Sequence, residues 1–107
     1  MPREAGSRTF NELFLKAVER GLGKLGESPK MAILYHLEQR YSIKKDELYD
    51  KLEELSRALK EMFGFGALVI EEFIARELYA LLGLSFHEKK NYRLADYIRE
   101  LKEQGRC

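Results

Sequence analysis

The sequence predicts an all-α fold: a compact bundle of five or six helices around a central apolar helix at about 67–82. Three observations carry that prediction. Apolar residues recur at three- and four-residue steps through most of the chain, the period of one helix face. Between those stretches stand helix-stop glycines (Gly64, Gly83, Gly105) and a Ser28-Pro29 start signal. No stretch shows the two-residue alternation and hairpin turns of paired strands. With 107 residues, 45% of them hydrophobic, the chain suffices for one core without metal or disulfide staples. It reads as a single domain over 1–107, with frayed ends at 1–8 and 105–107.

The first helix is expected from Thr9 to about Leu25. Phe10, Leu13, Phe14, Ala17, Val18 and Leu25 form its stripe, and Thr9 with Glu12 fits a capping box. Gly21 falls on the same stripe, where the missing side chain would let a neighbouring helix approach closely. Ser28 as N-cap and Pro29 as first helical residue open a second helix over 28–41, with Ile33, Leu34, Leu37 and Tyr41 inward. Leu48, Leu52, Leu55, Leu59 and Met62 then step by four, three, four and three, a sharp apolar edge. Asp50 with Glu53 is able to restart a helix midway, so 46–63 reads as one helix or as two. The segment 67–82 is apolar nearly all round, which places it at the centre of its domain or against a partner chain. The stretch "LSFHEKKNY" reads as a loop or a short extended arm. Asn91 would then cap a last helix with Leu94, Tyr97, Ile98 and Leu101 on its buried edge.

Several motifs invite chemistry. "GLGKLG", from Gly21 to Gly26, fits the dinucleotide fingerprint, but that motif needs a strand before its glycines. Here an amphipathic helix precedes them, and Leu25 stands where a Walker lysine would be followed by Ser or Thr. The stretch is therefore read as one helix ending and the next beginning. "MFGFGAL" resembles a helix-turn-helix corner, yet the helix after it offers Glu71, Glu72 and Glu77 against Arg76 alone, the wrong sign near phosphate. A better nucleic-acid candidate is the outer side of helix 28–41, with Tyr35, His36 and Arg40, joined by Lys89, Lys90 and Arg93 from the 87–93 arm. Glu38, Glu88 and Asp96 intersperse those charges, and a net charge of +1 argues against a dedicated DNA binder.

Catalysis finds no support in the residue pattern. His36 and His87 belong to no ligand-spaced cluster, and Cys107 is the only cysteine. No metal, cofactor or catalytic residue is assigned. Glu77 projects among Ile70, Phe73, Ile74 and Leu81 on a helical wheel, so it is expected in the core beside a cation or at an interface. The first ten residues hold no apolar run, and "GFGALVI" is too short to cross a bilayer, which points to a soluble cytoplasmic protein.

At "LGESPKMAILYHLEQRYSIKKDEL" and "LKEMFGFGALVIEEFIARELYALLGL" the chain resembles a small archaeal helical family, the Nitrosopumilus-type output domain. The resemblance runs from about Phe10 to Lys102. Ser28-Pro29-Lys30, Phe63-Gly64-Phe65-Gly66-Ala67 and Glu77-Leu78-Tyr79 carry it. It implies an all-helical domain that transmits signals by contact, without a catalytic residue. The expected function is thus a protein-interaction or signalling-output module, with a protein partner or a second copy bound on the helices at 46–63 and 67–82. The alternative is a small DNA-binding regulator using helix 28–41 and the 87–93 arm.

Overall fold

Five α-helices account for the architecture of the computed structural model, which describes residues 2–105, with side chains from Phe10 onward. They are α1 (Pro2–Gly23), α2 (Glu27–Tyr41), α3 (Leu52–Phe63), α4 (Gly66–Leu81) and α5 (Leu94–Glu103), with a short 3-10 turn at Lys45–Glu47 before α3. The described residues contain no strand. Residues 1, 106 and 107 lie outside the description, and with them Cys107 and part of the expected frayed ends.

Helix α1 lies along α4 in the most extensive pairing of the bundle, with α2, α3 and α5 closing around that pair. The α1 seam is lined by Phe14, Ala17, Val18 and Leu22, all essentially inaccessible to solvent. Gly21 is where the helices come closest. A methyl group there would sit 2.9 Å from the backbone nitrogen of Ile74 and 3.0 Å from its Cα. The glycine expected to admit a neighbouring helix does so against backbone, where no side chain can rotate away.

Boundaries shift from expectation where local hydrogen bonding overrules the nearest cap-like residue. α1 starts at Pro2, so Thr9 lies inside the helix instead of capping it. At its other end Leu22 takes the buried position assigned to Leu25, which sits in the following turn and is 39% exposed. α2 begins at Glu27 behind an N-cap Gly26 with φ 115° and ψ 159°. Gly26 O accepts the Lys30 N–H at 3.1 Å, so Pro29 occupies the first turn, where its missing N–H costs nothing. α2 ends at Ser42, in the left-handed region at φ 58°, with Ile43 N–H donating back to Leu37 O at 2.9 Å.

The segment 46–63 resolves into two pieces. Lys44 N–H donates to Glu47 Oε1 at 3.1 Å and closes the 3-10 turn, and α3 restarts behind Lys51. The apolar edge survives the break: Leu48, Leu55 and Leu59 are buried, while Leu52 and Met62 pack partly covered against them. Residues 84–92 form an arm without regular structure. Arg93, not Asn91, is the N-cap of α5, because Asp96 one turn on accepts the Arg93 N–H at 2.8 Å. Leu94, Tyr97, Ile98 and Leu101 form the buried edge of α5, the four residues the spacing names.

Candidate interaction surface

The central helix has a narrower buried face than its composition implies. Ala67, Ile70, Glu71, Ile74, Ala75 and Leu78 lie inward, and the two alanines let the neighbouring helices sit close. This face is rotated from the one a search for the bulkiest residues picks out, so Phe73 and Leu81 are only partly covered. Glu77 is turned aside with them. It is half-buried and pairs with Lys24 Nζ at 3.2 Å. The buried carboxylate is Glu71, 1% exposed.

Glu71 is fully engaged. Arg93 Nε donates to Glu71 Oε1 at 2.9 Å and Arg93 Nη2 to Oε2 at 2.5 Å, a two-pronged ion pair. The backbone N–H of Leu94 donates to Oε1 at 2.9 Å. A carboxylate on α4 thereby satisfies a free amide at the start of α5 and places negative charge against that helix's positive end. Donating to the Glu71 carboxylate raises Arg93 above its already high value, so its charge is fixed.

The arm is held along its length. Lys89 Nζ lies 2.6 Å from Glu100 Oε1, and the Tyr92 hydroxyl donates to the same carboxylate. The Tyr97 hydroxyl accepts the Lys89 N–H at 2.9 Å. Phe86 and Tyr92 pack on Tyr97 with ring centroids 5.0 Å away in each case. The hydrogen bonds from Lys89 and Tyr92 lower the Glu100 carboxyl below its usual range, and the same contacts raise Lys89 and Tyr92. Two of the three cations that would make this arm a phosphate reader are thus spent inside the molecule. Lys90 is exposed and makes no ion pair among the described residues.

The other residues singled out from sequence lie on the outer face of α2. Tyr35 is 62% exposed, with the His36 ring 5.8 Å away, and Arg40 lies over the Tyr41 ring at 5.9 Å. His36 and Glu77 sit in separate surroundings, one facing solvent and the other paired with Lys24. Among the described residues no three His, Cys, Asp or Glu side chains converge as metal ligands, and no helix is long and apolar enough to cross a membrane.

What the residue-by-residue reading missed lies at the corner between α3 and α4. Gly64, at φ 58° and ψ −128°, ends α3 with its N–H donating to Lys60 O at 2.7 Å. The chain then turns sharply into α4 and leaves Phe65 outside, 94% exposed. Phe63, Leu68 and Val69 surround the same corner, at 39%, 45% and 53% exposure. Leu68 and Val69 are exposed because they follow Ala67 on the far side of a helix whose inner face runs through Ala67, Ile70 and Ile74. Beside Phe65 lies a small, largely apolar hollow of about 130 Å³, lined by Lys60, Gly64, Phe65, Ala67, Leu68 and Arg93. A nearly bare phenyl ring with three further apolar neighbours is the composition of an interface core. A signal for it was present in the sequence, since a helix apolar nearly all round has more hydrophobic surface than one core face consumes.

No protein-family model matches this chain, and neither does any curated protein or solved structure. The likeness to the archaeal output-domain family therefore rests on the quoted residues alone.

Proposed function

We propose that this chain is a non-catalytic protein-interaction module, of the signalling-output or adaptor kind, that binds its partner through the α3–α4 corner. The observation that carries this reading is Phe65, an aromatic side chain 94% exposed amid Phe63, Leu68 and Val69. Leaving a phenyl ring in water forgoes roughly 2–3 kcal/mol of burial energy, which a partner surface recovers on binding. The corner is held rigidly, since α3 and α4 pack against each other and α4 runs through the core. A preorganised apolar knob binds with little ordering cost. The pairing of Lys89 and Arg93 with Glu100 and Glu71 favours this reading over DNA binding by the 87–93 arm.

The test is affinity capture from nuclease-treated native lysate, with the wild-type chain and Phe65→Ser side by side. A stoichiometric protein retained by the first and lost by the second supports the proposal. Partners that vanish with nuclease, or that bind both chains equally, refute it.

A further inference from the structure

We infer that the partner seated on this corner is a second copy of the same chain, in a twofold dimer whose axis passes between the two Phe65 rings. The inference rests on the interaction reading above and specifies its occupant.

A twofold interface must be self-complementary: whatever protrudes from the patch must find its receptacle on that same patch. The corner has both parts. Phe65 protrudes, and the hollow beside it is lined by Gly64, Ala67 and Leu68 together with Lys60 and Arg93. Its volume of about 130 Å³ approaches the roughly 150 Å³ of an apolar cavity that accepts benzene. Because Phe65 itself lines the hollow, a ring arriving from a second copy would also meet the first ring. Reciprocal insertion therefore places the two phenyl groups against one another at the axis. Arg93 does not oppose this, since Glu71 neutralises its charge, and a guanidinium is a good stacking surface for an aromatic ring.

The area agrees with a self-dimer. At the exposures given above, Phe63, Phe65, Leu68 and Val69 together leave about 400 Å² of apolar surface in water. A standard interface covers about 800 Å² on each partner, a little over half of it apolar, or roughly 450 Å². One corner thus supplies the apolar core that a stable, reversible dimer requires from each side.

Sedimentation velocity across a micromolar to sub-millimolar series tests this on wild type and Phe65→Ser, with circular dichroism to confirm that both are folded. Cysteine cross-linking adds the geometry while keeping both Phe65 rings: Gly66→Cys, whose added Cβ would meet Phe63 Cβ at an ordinary 3.6 Å, in a Cys107→Ser background, against Met31→Cys on α2, 54% exposed in the monomer. The expected result is a monomer–dimer equilibrium weakened about 30-fold or more by Phe65→Ser, with a disulfide-linked dimer at position 66 and not at 31. A dimer that persists in Phe65→Ser, or that cross-links at 31 instead, overturns the inference and moves self-association to another face. A monomer at every concentration also overturns it. In that case the interaction reading stands only if Phe65→Ser loses a captured partner, and falls with it otherwise.

Discussion

Gly21 and Gly23 lie two residues apart near the end of α1, and the same substitution is expected to act on them with opposite sign. In Gly21→Ala the added methyl would lie 2.9 Å from the backbone nitrogen of Ile74 and 2.9 Å from its Cγ1. Relieving that clash requires α1 and α4 to separate by about half an ångström, because Ile74 is fully buried and its backbone belongs to the central helix. Overpacking of this kind costs about 1–3 kcal/mol, and a backbone obstacle belongs in the upper part of that range. Alanine returns up to about 1 kcal/mol through its higher helix propensity. The net expectation is a loss of about 1–2 kcal/mol, or a fall in Tm of roughly 5–15 °C for a domain of this size. Gly23→Ala meets nothing closer than Lys30 Cδ at 4.0 Å and keeps the propensity gain, so its Tm should rise by a few degrees. Thermal and urea denaturation followed by far-ultraviolet circular dichroism measure both variants. A Gly21→Ala protein as stable as wild type would refute the claim that this glycine exists for helix approach.

Arg93→Ala should cost about 3–5 kcal/mol in urea unfolding, because it strands the Glu71 carboxylate in the core. Glu71→Met paired with Arg93→Met should recover most of that loss, apart from the roughly 1 kcal/mol associated with the unmatched Leu94 amide. Because Glu100 titrates below its usual value of 4.5 in the folded protein, its anchoring of the arm is fully present above that pH. It should weaken as pH falls through the depressed value, read as faster hydrogen exchange at Lys89 and Tyr92, and Glu100→Gln should abolish the dependence. Lys89 titrates above its usual 10.5, so its contribution is present below that pH and lost only in stronger alkali. Duplex DNA at low salt should show no measurable affinity. Binding that appears there and falls steeply with added salt would instead restore α2 and Lys90 as a phosphate-reading surface.

Residues whose role follows from spacing alone were legible from the sequence. The buried edge of α5, the approach at Gly21 and the turns at Gly64, Gly83 and Gly105 all follow from helical period and backbone freedom. Glu71 was not legible, because the face around it is marked by Ala67 and Ala75, small residues that a search for bulk passes over. The partner of Glu71 lies 22 residues further along, after an irregular arm, and no local pattern points to it. Leu25 failed for a related reason: the helical period continued to Leu25, two residues after the helix itself had stopped at Gly23. Leu68 and Val69 were visible only as excess, and Phe65, in the glycine corner before that helix, was not marked by it. The sequence shows more apolar surface on 67–82 than one face can bury, but which residues are left outside depends on how Gly64 turns the chain.

The central claim is that the α3–α4 corner is where this protein meets its partner. Amide hydrogen exchange mapped along the chain, at high dilution and again in the associated state, tests it most directly. The account predicts slowed exchange confined to the α3–α4 corner and the start of α4, together with the neighbouring hollow at Lys60 and Arg93. Slowing on α2 between Met31 and Arg40, or along 87–92, with the corner unchanged, would contradict it.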